Sequence, residues 1–437
     1  MTKVSHLGTA SRPLASTLAL ALALAPTTLL AQDAPAFKLG VVSFLSGGAS
    51  GPFGVPSRNA AELIVDAINK GTLPAPYDTI GFAGTLVEPL FADEASKNVV
   101  ADYQKLVQKD EVDGIVGYNS SGSCVAIAPE VEKLETLTVL SACGTSQIFE
   151  EIVTEPKYLF RAASHATMDN VAAARYVVEH TPEVVEKLSD IAGINQNYSW
   201  GFDSWRDFSA SIQVLKEDVE IANEQFPKIF AGQYGAEISA LLTARADVVH
   251  SSFWGGDLEA LVIQGAGRGL FGRTQMVLTS SDTAIHRLGR QIPDGTIIGA
   301  RGSYSIYAPQ SELNDWFRQA YYDRYGVYPV HPAYQMANAV LGMKAAADKA
   351  GVGTEEAIIA NLKGLSYEGP GGIVDMALAD GHQAITGSAY GTYKFDTETG
   401  LGTVENIVTY KAECINPPAD LTSQEWIKGG FVGADCE

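Results

Sequence analysis

The sequence is poor in cysteine, in basic side chains and in long apolar stretches, and each shortage excludes something. Cysteine occurs four times in 437 residues, at positions 124, 143, 414 and 436, with no close Cys/His spacing of the kind a zinc site needs. Lys and Arg number 30 against 51 Asp and Glu, a formal net charge of −21. A field of that sign repels nucleic acid and anionic lipid surfaces. After residue 31 no apolar run approaches the ~20 residues of a membrane-spanning helix. The H-E-x-x-H and G-x-S-x-G patterns of metalloproteases and serine hydrolases are both missing. No catalytic residue, metal site or cofactor site is therefore expected.

What is present begins with a targeting pattern. Lys3, His6 and Arg12 precede an Ala/Leu run from Leu14 to Leu24, and Pro26 and a small-residue end at Ala31 follow. This predicts a signal peptide over residues 1–31, cleaved before Gln32, and hence an exported protein. An even number of cysteines in an exported chain predicts two disulfides. Three connectivities are possible. Local pairing, Cys124 with Cys143 and Cys414 with Cys436, is favoured.

Residues 114–145 read GIVGYNSSGSCVAIAPEVEKLETLTVLSACGT. Two short apolar runs, 114–117 and 137–140, each end in a loop of Ser, Gly, Asn, Thr and Cys, and a helical stretch lies between them. That is a βαβ unit whose loops leave the carboxyl ends of parallel strands, the edge at which open α/β sheets bind ligands. The loops carry hydroxyls and backbone N–H groups and no acid, base or metal cluster. They suit holding a small polar molecule.

The alternation extends along the chain. Strands are expected at 37–45, 85–91 and 158–161, with helices at 55–69 and 94–108. The pattern restarts with helices at 170–179, 203–215, 237–244 and 258–266 and strands at 188–194, 219–225, 247–253 and 275–279. Residues 297–306 read as extended. Residues 310–325, 332–349 and 355–362 form a helical group without strands, which must pack on an existing sheet. The tail from residue 369 reads as β structure. This order predicts α/β architecture with two Rossmann-like lobes, each around a parallel central sheet. A G-x-G-x-x-G at Gly267, Gly269 and Gly272 follows a helix and precedes a strand, so it reads as a turn and not as a dinucleotide fingerprint. Aromatic residues are frequent in loops: Phe53, Tyr118, Tyr198, Trp200, Phe253, Trp254 and Tyr334. Such rings can wall a pocket with little loss of entropy on binding.

Several stretches, taken in order, resemble periplasmic substrate-binding proteins of the branched-chain (leucine/isoleucine/valine) amino acid type. They are FKLGVVSFLSGGASGPFG with its helix ending DAIN, then GIVGYNSSGS, LTVLSACGT, INQNYSWG and YEGPGG. The resemblance covers essentially the whole chain after residue 31. It implies a two-lobed clamshell with three crossing segments, with lobe 1 from residues 32–162 and 304–368 and lobe 2 from residues 163–303 and 369–437. It implies a periplasmic monomer that binds a small solute (an amino acid, amide or small carboxylate) and hands it to ABC permease subunits of the inner membrane. A ligand-sensing protein feeding a receptor or sensor kinase is the second role that the same fold serves.

Carried over by position, Ser120 and Thr145 would hold the ligand's polar head, and Cys143 would contribute backbone groups. Phe53, Trp200, Trp254 and Tyr334 would form walls, with Tyr118 a further candidate from its loop position. After the strand 275–279, where the family places an acid for the ligand's ammonium, the sequence offers Ser280, Ser281 and Asp282, of which Asp282 would take that group. The chain departs from the family in placing a cysteine at 143 and in its flatter, more aromatic walls. The Cys124–Cys143 pair is also not the disulfide common in the family.

Overall fold

The computed structural model describes residues 35–436; the signal peptide expected over residues 1–31 lies outside them. Strand β1 (Phe37–Ser43) is buried on both faces except at Lys38, the pattern of a central parallel strand. It pairs in parallel with β2 (Val87–Asp93) and with β3 (Gly114–Gly117), and β4 (Thr138–Leu140) and β5 (Leu159–Arg161) continue the parallel order. Between β1 and β2 the helix Val55–Lys70 starts at Pro56 and stops at Gly71, whose φ of +61° closes the last turn onto the Ala67 and Ile68 carbonyls. The helical group, Glu312–Tyr325, His331–Ala350 and Glu355–Leu362, packs on this first sheet. Phe317, Tyr334, Leu341 and Ile358 share one core with Leu39, Val116 and Val139.

The second sheet is built the same way. Strands β6 (Asp190–Ile194), β7 (Glu220–Gln225), β8 (Val248–Ser251), β9 (Gln275–Leu278) and β10 (Ile297–Gly299) run parallel. The tail then adds β structure to both sheets. The antiparallel strands β11 (Ser366–Gly369), β12 (Gly372–Leu378) and β13 (Gln383–Ile385) join the first sheet beside β5. Strands β14 (Ser388–Phe395) and β15 (Gly402–Tyr410) form an antiparallel ribbon beside β10. The sheet orders are β11-β12-β13-β5-β4-β3-β1-β2 and β15-β14-β10-β9-β8-β6-β7.

The chain thus crosses between sheets three times: after β5, after β10 and between β13 and β14. The third crossing falls after Ile385, where the sequence reading set it at 368. The difference is the β12–β13 hairpin, which finds a free edge at β5 before the chain leaves. Helix 94–108 is also shorter than expected, at Val99–Gln108, because Asn98 caps it through the Ala101 N–H. Glu94 is drawn into the loop after β3 instead.

Both local disulfides are present, Cys124–Cys143 with Cα atoms 6.4 Å apart and Cys414–Cys436 at 4.6 Å. The second closes the tail around the helix Ser423–Lys428, whose Trp426 is fully buried in the second lobe's core. Opening a loop of that length releases about 3 kcal/mol of unfolded-state entropy. Cys436→Ser is expected to lower stability by about that much, read as a lower denaturant midpoint with a slope that rises as the unfolded chain expands.

Candidate functional site

The carboxyl ends of the two sheets face each other, and one small cavity lies between them. It is lined by Phe53, Asn119, Ser121, Gly144, Tyr198, Trp200, Trp254, Ser280 and Arg301. Each follows a parallel strand: Phe53 after β1, Asn119 and Ser121 after β3, Gly144 after β4, Tyr198 and Trp200 after β6. Trp254, Ser280 and Arg301 follow β8, β9 and β10. Its free volume is about 10 Å³, room for about one water molecule and far below the roughly 300–1,000 Å³ of pockets that take drug-sized ligands. A wider groove around Phe149, Glu150, Arg161 and Leu378 takes nothing from the strand ends of the second sheet.

The lobes are closed on each other around this cavity. The Phe53 ring meets Trp254 edge-on at 4.8 Å, and the Gly256 N–H donates to the Gly48 carbonyl at 3.2 Å. Gly144 lies against Trp200 so closely that a Cβ there would stand 2.3 Å from the indole. Trp200 donates its indole N–H to the Ser252 carbonyl and carries the Arg301 guanidinium over its ring at 4.4 Å. Trp254 donates to the Tyr198 hydroxyl at 2.6 Å. The two indoles are thereby fixed in angle.

Arg301 is the cation of the cavity. Its Nε donates to Asp169 at 3.1 Å, Nη1 to the Ala142 carbonyl at 2.7 Å and Nη2 to the Ser164 carbonyl at 3.2 Å. A guanidinium has five N–H donors, so donors remain for a ligand. Ser280 Oγ is buried at the cavity and has no hydrogen-bond partner among the described residues. Glu94 lies behind the wall. It accepts from the Asn119 N–H at 2.7 Å, the Asn119 side-chain amide at 3.1 Å and the Ser120 N–H at 2.8 Å. Burial pushes its carboxyl up to about 7, against the pull of those donors.

Of the residues expected from sequence, Phe53, Trp200 and Trp254 line the cavity. The two anchoring loops line it too, but through Asn119, Ser121 and Gly144. Ser120 is half-buried beside them, and its N–H is held by Glu94. Cys143 lies in the disulfide, and its carbonyl accepts from Arg161. Thr145 is turned away: its hydroxyl donates to Asp203 of the opposite lobe. Tyr118 packs into the core with Tyr103, Leu106 and Ile127. Tyr334 lies in the first lobe's core and donates to Asn314 at 3.0 Å. Asp282 is fully buried and accepts from His331, at 2.5 Å from Nδ1 and 2.8 Å from the backbone N–H. None of these six is among the residues that line the cavity, and Thr145, Tyr118, Tyr334 and Asp282 are committed to partners elsewhere. Arg301, Asn119, Ser121 and Glu94 escaped sequence reasoning. The only available signal was their place just after apolar runs.

Among the described residues no group of three or more His, Cys, Asp or Glu could hold a metal ion, and no helix is long and apolar enough to cross a membrane.

Two open α/β sheets joined by three crossings, with a cavity at their facing strand ends, define a clamshell binding protein. The periplasmic binding protein profile matches residues 36–398, and the chain belongs to that family. Solved structures share the fold. A solute-binding protein of an ABC transporter from Rhodopseudomonas palustris BisB5, in complex with 3,4-dihydroxybenzoic acid, is 20% identical with TM-score 0.74, over 88% of this chain and 99% of that one. An amino acid ABC transporter substrate-binding protein from Pseudomonas fluorescens Pf-5 is 18% identical with TM-score 0.73, over 89% and 99%. The branched-chain amino acid binding protein LivJ from Streptococcus pneumoniae, in complex with isoleucine, is 18% identical with TM-score 0.69, over 86% and 99%. No curated protein sequence matches the chain significantly.

Glu94 gives a pH test. Its carboxyl stands near 7 in the fold and near 4.3 in an unfolded chain. Between these values the folded state binds the extra proton, so this group's contribution weakens as pH rises from about 4.3 to about 7. Relative to Glu94→Gln, the wild type is expected to lose stability across that window. Melting curves of both proteins at pH 5 and pH 7.5 check it; parallel shifts would refute it.

Proposed function

We propose that the protein is the solute-binding component of an ABC importer and that its ligand is a small aromatic carboxylate without an ammonium group. One observation carries the ligand class. The cavity is walled by Phe53, Tyr198, Trp200 and Trp254 and offers Arg301, while Asp282, the acid expected to take an ammonium, is bound to His331. With the walls drawn apart to admit it, a flat ring would lie among the aromatic side chains, and its carboxylate would take the free donors of Arg301 and the Ser280 hydroxyl as charge-assisted hydrogen bonds. The Rhodopseudomonas palustris BisB5 structure in complex with 3,4-dihydroxybenzoic acid lends this support.

The remaining parts of the reading follow the family. Residues 1–31 direct export, and the mature chain works in the periplasm as a monomer and delivers its ligand to permease subunits. Residues 35–162 with 304–386 move as one lobe and residues 163–303 with 387–436 as the other. Ligand binding shifts the population toward the closed form by its greater affinity for that form.

A thermal-shift comparison of benzoate, 4-hydroxybenzoate and 3,4-dihydroxybenzoate with leucine, isoleucine and glutamine tests the ligand class. Saturation at ~100 times the dissociation constant adds about 2.7 kcal/mol of stability, so the aromatic acids are expected to raise the melting temperature and the amino acids to leave it unchanged. The reverse order would overturn the proposal. Arg301→Gln, if folded, is expected to weaken binding of the active acid by about tenfold or more. Gly144→Ala is expected to weaken it comparably by holding Trp200 off the opposite lobe. Calorimetry reads both.

A further inference from the structure

The Asp282–His331 contact joins the two lobes. Asp282 opens the helix Asp282–Leu288 after β9 of the second sheet, and His331 opens the helix His331–Ala350 packed on the first. Both side chains are fully buried. The pair stands directly behind the cavity wall. Phe53 meets the His331 ring edge-on at 5.0 Å and Trp254 at 4.8 Å, and Ser280, two residues before Asp282, is itself a lining residue.

A carboxylate this deep needs a partner of opposite charge or a full set of donors, because leaving it bare costs several kcal/mol. Among the described residues Asp282 has two donors, and both come from His331: the ring Nδ1 and the backbone N–H. The ring is the only side chain that donates to it among the described residues. Taking the imidazole away leaves one backbone donor, an unsatisfied carboxylate and a vacancy of imidazole size beside a cavity-wall ring.

We infer that His331 is the specificity-determining residue of the cleft: its imidazole occupies the place at Asp282 that a ligand's ammonium group would take. The inference deepens the aromatic-acid reading, since it names the residue that keeps cationic ligands out. The filter is made by closure. The histidine arrives from one lobe and the acid from the other, so an ammonium-bearing ligand must displace the ring to let the lobes shut. A ligand without that group leaves the pair intact.

The test compares wild type, His331→Ala, His331→Ser and the double variant His331→Ala/Asp282→Asn. The probes are 4-hydroxybenzoate, 4-(aminomethyl)benzoate and benzylamine, measured by calorimetry on the mature chain. In the single variants, affinity for the two ammonium-bearing probes is expected to rise by about tenfold or more over wild type. The gain is expected to vanish in the double variant, and imidazole is expected to compete with both probes. An unchanged preference, or a gain that survives Asp282→Asn, would overturn the assignment. So would failure of both single variants to fold with or without imidazole, which would make His331 a structural latch only. The aromatic-acid reading fails by a different sign, absence of 4-hydroxybenzoate binding to wild type, whereas benzylamine reports on Asp282 without needing the carboxylate end of the site.

Discussion

A guanidinium carried into a dry interior must be surrounded by acceptors, and the buried group of Arg301 meets that need by drawing three parts of the chain together. It reaches the loop after β4 at Ala142, the first crossing at Ser164 and the start of the second lobe at Asp169. The Ser164 hydroxyl returns a bond to the Arg301 carbonyl at 3.1 Å. Gln383, just before the third crossing, donates to Ala163 at 3.0 Å. The hinge and the floor of the cavity are therefore one polar network. A disturbance of the cation is felt where the lobes pivot as well as where a ligand would sit.

A second buried arginine completes the arrangement from behind. Arg161 donates to the carbonyls of Cys143 and Thr145, and burial lowers its guanidinium to about 9. Ser121 Oγ accepts the N–H groups of Gly144 and Thr145, each at 3.1 Å. With the Cys124–Cys143 bridge, nearly every polar atom of the loop 142–145 is committed before any ligand arrives. Such a loop is a rigid wall: its ordering cost is met on folding and not on binding.

The fold was legible in the sequence because its evidence is periodic. Apolar runs of four to seven residues followed by Ser/Gly loops mark β1, β3 and β4, and the helical spacing in 55–70 needs no tertiary help. The third crossing was not legible, since antiparallel strands such as β12 and β13 read the same at the edge of either sheet. The site was legible to the level of loops. Phe53, Trp200 and Trp254 are large rings in the segments that follow strands. Ser120 and Thr145 are each one residue from a lining position, Ser121 and Gly144, because spacing does not say which way a loop residue turns. For Thr145 and Asp282 the decisive partners, Asp203 and His331, come from the opposite lobe, 58 and 49 residues away, and no local pattern announces them. Arg301 had only its place after an apolar run to mark it, because its partners Ala142, Ser164 and Asp169 lie more than a hundred residues away.

The seating of Trp200 has a consequence of an optical kind. One face of its indole carries the Arg301 guanidinium, and the ring presses on the bare backbone of Gly144 from the other lobe. A parting of the lobes would lift the ring off Gly144 and expose that face to water, while Arg301, on the same lobe, would stay with it. The protein thus holds a native fluorophore at the seam between its two lobes.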